Sequence, residues 1–274
     1  MDGAFAQAHV VREGTWSYGG STHSAIEPHG AVARMTAQGL ELWSSTQVSH
    51  YLRREVVHVL GLPADQVRVL QPTVGGGFGG KSDLFDFEFC TALAAHRLDQ
   101  PVRFTVPRED VFTLHRGRHP VVFHQRMACD REGHVLGLDL EAELSGGAQF
   151  SYGFVTRYYV LQLLGPMRIG TFRGHAVRAY TNTAPCGPKR GHGGPQTTFA
   201  IQTMLDEMAG ELLLDPLELR RSIALPSGGT TVNGFTYGSS GILECLEEVE
   251  QASGWKGRAS LPKGSGLGTS MSSY

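Results

Sequence analysis

Two stretches of this chain offer backbone rather than side chains to a ligand. The first is Val74-Gly75-Gly76-Gly77-Phe78-Gly79-Gly80-Lys81, in which five of the eight residues are glycine. Bare backbone brings N–H and C=O groups close to another body, at an entropic cost that something must offset. Such a run is either a turn between two elements or a cradle for an anionic or polar ligand, with Lys81 adding positive charge beside it. The second stretch, Tyr180 to Gln196, sets Cys186-Gly187 between two prolines and surrounds His192 with Gly191, Gly193 and Gly194, while Lys189-Arg190 supplies charge. A long loop of this kind inside a compact domain is functional or disordered, and the prolines favour order.

Other candidates are weaker. His23, Glu27 and His29 are close enough to invite a metal, but their spacing fits no helical ligand pair and Pro28 breaks a helix. A structural role on backbone or a neighbouring loop is expected for His23 and Glu27. His115 to Pro120 is the most basic local cluster and reads as a surface turn; the alternative is an anion clamp built on the forked guanidinium groups of Arg116 and Arg118. Asp86 and Glu88 complement a helix dipole rather than form a catalytic carboxylate pair. Arg157 lies among Phe150, Tyr152, Phe154, Tyr158 and Tyr159, and packing does not account for it. The aromatic residues themselves read as core.

The elements that must position these loops follow from periodicity. A strand, Val67 to Leu70, enters the first loop, and a helix with Leu84, Phe85, Phe87, Phe89, Leu93 and Leu98 inward leaves it, capped by Asp83. Upstream, His9 to Glu13 is a strand without a visible partner. Ala31 to Arg34 and Leu40 to Trp43 pair around Gln38-Gly39. A helix runs from Gln47 to about Leu60, with Val48, Tyr51, Leu52, Val56 and Val59 on its buried face and Arg53, Arg54 and Glu55 solvated. Val102 to Val106 is a strand and Pro107 to Asp110 a turn. Val121 to Met127 and Val135 to Leu144 form a hairpin. Thr197 to Leu214 is a helix with Phe199, Ile201, Met204, Leu205, Met208, Leu212 and Leu213 inward, followed by an Asp215-capped continuation, Leu217 to Arg221. Pro226 to Thr231 reads as a boundary, with a small hairpin (Asn233 to Tyr237) and a helix (Ile242 to Ser253) beyond it.

Bulk properties narrow the function classes. The chain has 274 residues, a formal net charge of −2 and 41% hydrophobic residues, enough for a packed core. Near-neutral balance argues against nucleic-acid or membrane-surface partners. No apolar run is long enough to span a bilayer, and the first residues lack a secretory pattern. Cys90, Cys129, Cys186 and Cys245 are far apart, without CxxC spacing, which disfavours a zinc or iron–sulfur site and fits reduced thiols in a cytoplasmic protein. A nicotinamide enzyme is a poor reading: the first loop is not GxGxxG, and no acidic residue closes the following strand.

Taken together, Val74 to Lys81 (VGGGFGGK) and Lys189 to Gln196 (KRGHGGPQ) resemble the molybdenum-binding subunit of the xanthine dehydrogenase and aldehyde oxidase family. Glu27 to Ala33, Glu41 to Arg54, Leu60 to Val69 and Asp215 to Arg221 agree with it, so the resemblance covers roughly residues 11 to 268. Lys81 to Phe85, His115 to Pro120 and Cys186 to Gly193 look most like the large subunit of 4-hydroxybenzoyl-CoA reductase. Carbon monoxide dehydrogenases carry a cysteine after the loop arginine, where this chain has Gly191.

The resemblance implies an α+β fold of mixed sheets flanked by helices, a molybdenum-cofactor-binding domain of the xanthine dehydrogenase type. Residues 1–14 would be the remnant of a preceding segment, 15–225 a first molybdopterin-binding domain, and 226–274 the start of a second. The cofactor would be molybdenum-molybdopterin, in bacteria often as its cytosine dinucleotide. Gly76, Gly77, Phe78, Gly79 and Gly80 would form one wall of its site, and Arg190, Gly191, His192 and Gly193 the other, with no side chain ligating the metal. Arg116 and Arg157 are the candidates for substrate, an aromatic or heterocyclic compound or a CoA thioester. Iron–sulfur clusters and FAD would reside on partner subunits.

Three departures stand out. Ser21 follows Gly19-Gly20 where many relatives have glutamine. Ser82 follows the loop lysine, a position often acidic in the family, and His192 stands where hydroxylases often have an aromatic residue. The family's catalytic glutamate lies near the C-terminus of a much longer chain. The expectation is an internal piece of a longer subunit, or a non-catalytic protein that kept the fold, with little activity of its own.

Overall fold

The computed structural model describes residues 1–273 and builds them around two four-stranded sheets. The chain opens with a short helix, α1 (Asp2–Gln7), and a strand, β1 (Val10–Tyr18). It then forms the smaller layer from β2 (Gly30–Thr36), β3 (Gly39–Ser44), α2 (Ser49–Leu60), β4 (Val67–Leu70), α3 (Asp86–Leu98) and β5 (Val102–Thr105). The strand order is β4-β3-β2-β5. β2 pairs antiparallel with both β3 and β5, while β4 joins β3 in parallel, so the sheet is mixed. Alternation on β3 turns Leu40, Leu42 and Ser44 inward onto Ala31, Ala33, Leu52, Val56 and Ala92.

A helix where a turn was expected, α4 (Arg108–Leu114), leads to the larger sheet. There β6 (Val121–Cys129) and β7 (Val135–Ser145) form the expected hairpin. Helix α5 (Thr156–Gln162) follows, and β8 (Ile169–Ala179) then pairs parallel to β7 along its length. The order is β1-β6-β7-β8, so β1 finds its antiparallel partner more than a hundred residues downstream. Helices α6 (Gly194–Leu212), α7 (Pro216–Ile223) and α8 (Ile242–Ser253) contribute to the larger core, in which Phe123, Leu138, Leu140, Ile201, Met204 and Met208 are fully buried. Truncating any one of the larger of these would cost about 2–5 kcal/mol. Asp215 caps α7 as expected, its carboxylate accepting from Leu217 N–H at 2.8 Å.

The structure corrects several sequence expectations. On α2 only Leu52 and Val56 are buried; Tyr51 and Val59 are more than half exposed, because the small sheet is narrow and covers one stripe. Arg53, expected in solvent, reaches back to Val67 O at 2.8 Å and ties α2 to β4. Helix α3 is capped at Phe85, not Asp83: Glu88 accepts the Phe85 N–H at 2.9 Å, and Ser44 donates to its other oxygen. Glu88 is therefore buried instead of facing solvent at the helix start, and burial raises its carboxyl to about 7. Leu93 and Leu98 are exposed. Helix α6 begins at Gly194, and Phe199 and Leu213 face out. The aromatic segment is not core: Phe150, Tyr152, Phe154 and Tyr158 are all exposed.

Candidate functional site

The two glycine loops, over a hundred residues apart in sequence, touch. The Arg190 N–H donates to Phe78 O at 3.0 Å, and Pro188 O lies against Gly79. Gly79 has φ +94°, and a Cβ there would sit 2.6 Å from Pro188 O, so the approach requires glycine.

The first loop is clamped at both ends by side chains from elsewhere. At its entrance Glu27 accepts from Gly75 N–H at 2.8 Å and from Lys81 Nζ at 2.6 Å. At its exit Gln47 Oε1 accepts from the N–H groups of Gly79 and Lys81, at 3.0 and 3.2 Å. His29 Nε2 meets Gly80 O at 3.2 Å, and His23 Nε2 meets Pro188 O at 2.8 Å, bridging to the second loop. His23, Glu27 and His29 are thus scaffold, not a metal triad. Lys81, expected beside a ligand, is instead fully buried as the counter-ion of Glu27.

The second loop runs through three consecutive left-handed residues, Gly191, His192 and Gly193, before α6 begins. The His192 ring stacks on Tyr159 with centroids 4.9 Å apart and lies 6.0 Å from Tyr152. The cluster expected as a surface turn underlies this loop: Arg118 and His119 are buried, with Arg118 donating to Gln196 Oε1 at 2.8 Å and to Arg190 O. Arg118 is buried and directed at these two acceptors, so it does not form an open clamp. Arg116 lies over the Phe85 ring and its Cβ packs on Gly187, which brings it to the junction. Arg157, on α5, lies over Tyr158 and is exposed; α5 borders Gly193 through Thr156 O and Tyr159.

The residues present fit a pterin-type group. Among the described residues, the N–H groups of Gly76, Gly77, Phe78, Gly191 and Gly193 donate to no protein acceptor. Buried side-chain atoms without a partner also gather here: Thr22 Oγ1, Asp83 Oδ2, His115 Nδ1, Arg116 Nε and His192 Nε2. Buried polar groups are normally satisfied, so this concentration marks where a hydrogen-bonding body belongs. The surroundings are electropositive. Burial, with Arg178, His192 and Arg118 nearby, pushes His119 down to about 3; burial, with His115 and Lys189, pushes His23 to about 4. These imidazoles are neutral at pH 7.

Gln47 and Lys189 are site residues that sequence reasoning left in supporting roles. Gln47 was expected only as the start of a helix, and Lys189 as loop charge. No local signal assigns them, because their partners, the first loop and Ser21 (Lys189 Nζ to Oγ, 2.9 Å), come from distant segments. Asp130, Glu132 and His134 gather on the β6–β7 turn, where Asp130 and His134 already hydrogen-bond each other.

Residues 1–223 match the family model described as "Molybdopterin cofactor-binding domain". The chain is 34% identical over 255 residues to the nicotinate dehydrogenase large molybdopterin subunit of Eubacterium barkeri, covering 92% of this chain and 60% of that one. It is 33% identical over 222 residues to a putative xanthine dehydrogenase molybdenum-binding subunit of Escherichia coli (strain K12), covering 78% of this chain and 29% of that one. Among solved structures it is similar to the aldehyde oxidoreductase of Desulfovibrio gigas, with a TM-score of 0.88 at 25% identity over 95% of this chain and 29% of that chain. It is also similar to quinoline 2-oxidoreductase of Pseudomonas putida 86, with a TM-score of 0.86 at 27% identity over 94% of this chain and 34% of that chain. The chain therefore spans 60% of the length of the nicotinate dehydrogenase subunit and 29–34% of the other three.

Proposed function

The chain belongs to the molybdopterin cofactor-binding domain family of the xanthine dehydrogenase and aldehyde oxidoreductase type, and on that premise we propose that its loop junction is one wall of the cofactor site in a molybdenum-dependent oxidoreductase acting on an aromatic or heterocyclic substrate. The observation that carries this reading is the direct meeting of Phe78 and Arg190 with free N–H groups on both loops. When bound, the molybdenum-pterin group supplies a two-electron redox centre. The chain's own residues do the rest of this wall's work. The N–H groups of Gly76, Gly77, Phe78, Gly191 and Gly193 hold the pterin's hydrogen-bonding edge. Phe78, half exposed, and the His192–Tyr159 stack exclude water from it. Arg116 and Arg157 are the candidates to orient substrate. No side chain of this chain ligates the metal, and we place the catalytic base in the part of the relatives that this chain does not cover.

The relatives' names, dehydrogenases and oxidoreductases of nicotinate, xanthine, aldehydes and quinoline, favour oxidative hydroxylation. Reductive dehydroxylation of the 4-hydroxybenzoyl-CoA kind rests on the motif resemblance alone. In this reading 15–225 is a first cofactor-binding domain and 226–274 begins a second. Iron–sulfur clusters and flavin are carried by partner subunits, and the pterin takes its cytosine dinucleotide form in bacteria. The four cysteines are unpaired, which supports a cytoplasmic setting, and no helix among the described residues is long and apolar enough to cross a membrane.

The test is the metal and pterin content of the chain purified from a molybdate-fed host that makes the cofactor. Molybdenum and pterin fluorescence that co-purify, and fall in a Gly79→Ala variant, support the reading. Protein free of both would instead support a non-catalytic interaction protein.

A further inference from the structure

The chain carries a net charge of −2, yet six of its cations border the loop junction with no carboxylate partner among the described residues: Arg116, Arg118, Arg157, Arg178, Lys189 and Arg190. Elsewhere most cations, though not all, pair with a carboxylate, as in Arg34–Glu41, Arg173–Asp139 and Arg221–Glu250. At the junction Glu27 is committed to Lys81. Asp83 places Oδ1 on Tyr152 N–H at 2.9 Å and forms no ion pair among the described residues. Like charges held together in a half-buried place repel, and an anionic ligand offsets that cost.

Four of the six make side-chain contacts within the protein. Arg118 is buried and donates to Gln196 Oε1 and Arg190 O. Arg178 donates to His119 and Gly146 O. Arg157 lies over Tyr158, and Arg116 lies over Phe85 and reaches Gln149 Oε1, although its buried Nε has no partner among the described residues. Arg190 has an exposed side chain. Lys189 differs: it is half-buried, and among the described residues its ammonium meets only the neutral hydroxyl of Ser21, at 2.9 Å, leaving donors free. Ser21 is itself held by backbone, its carbonyl accepting from Arg118 N–H at 2.8 Å.

Resting on the aromatic-substrate reading above, we propose that Lys189, steadied by Ser21, is a specificity-determining residue that selects an aromatic substrate bearing a carboxylate. The ring would meet the flat walls already present, the exposed Phe78 and the Tyr152–His192–Tyr159 group, while the carboxylate takes the free ammonium donors. A phosphate fits less well. The α6 N-terminus that would bind it is occupied: Gly194 N–H is spent on Gly191 O, those of Gln196 and Thr197 on Gly193 O, and Pro195 has none.

Calorimetric titration of the purified chain with benzoate, neutral benzamide and inorganic phosphate tests this without turnover. Benzoate should bind about tenfold or more tighter than benzamide, the worth of one charge-assisted hydrogen bond. Lys189→Met should lower benzoate affinity by about the same factor and leave benzamide unchanged, while Lys189→Arg retains most of the preference. Lys256→Met, on a cation paired with Glu250, should change nothing. Equal binding of benzoate and benzamide, no binding of either, or a benzoate preference that survives Lys189→Met would overturn the assignment. Phosphate bound more tightly than benzoate and lost in Lys189→Met would overturn it too, since the site would then serve a cofactor phosphate. Pterin content read on the same samples separates the two ideas: Lys189→Met protein should keep it, and its loss with benzoate binding intact would move Lys189 to the cofactor and sink the substrate role.

Discussion

Replacing Gly79 with alanine should separate the two loops, and the structure sets the size of the effect. The backbone there has φ +94°, where a Cβ costs about 1–2 kcal/mol by itself. The new carbon would also lie 2.6 Å from Pro188 O, a backbone atom that His23 Nε2 holds at 2.8 Å and that cannot swing aside as a side chain would. Relief requires the second loop to withdraw, breaking the Arg190 N–H to Phe78 O bond and the His23 contact, each worth about 1 kcal/mol. The total is about 3–4 kcal/mol, a large part of the roughly 5–15 kcal/mol that holds a domain folded. Gly61→Ala is the control. Gly61 is also left-handed, at φ +65°, and ends α2, but a Cβ there meets nothing within 4 Å, so its cost should be the conformational part alone, about 1 kcal/mol. Urea unfolding of both variants, with pterin content measured on the same preparations, is the assay. If Gly79→Ala falls within about 0.5 kcal/mol of Gly61→Ala and retains pterin, the loops do not depend on each other and the junction is incidental.

Three further outcomes are expected. Glu27→Ala leaves Lys81, 1% exposed, as an uncompensated buried charge and should cost about 3–5 kcal/mol, whereas Lys81→Met leaves Glu27, 34% exposed and hydrated, and should cost about 1 kcal/mol; equal costs in urea melts would refute the asymmetry. Glu88, raised from 4.5 to about 7, holds its proton more tightly folded than unfolded, so stability is fully present below pH 4.5 and is lost as pH rises through 7, by roughly 3 kcal/mol. Glu88→Gln keeps the Ser44 and Phe85 bonds and should remove that loss; wild-type and variant stability curves that run parallel between pH 5 and about pH 8 would contradict it. Asp215→Ala removes the α7 cap together with the Trp255 and Arg258 contacts that fasten the segment after α8; about 2 kcal/mol and a shift in Trp255 emission are expected, and unchanged emission would show that the contact is not held in solution.

The elements that sequence reasoning reached are those whose signals are local. The β2–β3 and β6–β7 hairpins need only alternation and a turn, and α8 spans the predicted Ile242 to Ser253 because a helix's period lies within its own residues. The missed or misjudged parts depend on what lies opposite. β8 is legible only as a strand-like flank of the second loop, because it pairs in parallel with β7 across an intervening helix and no residue in Ile169–Ala179 announces that partner. Tyr51, Val59 and Phe199 have the right periodicity for burial but nothing covers them. The same limit governs the site. Both glycine loops were legible as bare backbone, since glycine clusters carry their meaning locally. The clamp that gives them shape was not: Glu27 and Gln47 do their work only once the segment before β2 and the segment before α2 reach the same loop. Arg118 makes the point from the other side. Its sequence context reads as a solvated basic turn, yet the isolated bridges Ser21–Arg118 and Gly117–Cys186 fold that turn under the second loop, where the guanidinium supports Arg190 O instead of facing a ligand. The donors left free on Lys189, like the unpartnered Nε of Arg116, are therefore what the tertiary arrangement leaves over after scaffold demands are met, and a sequence cannot perform that subtraction.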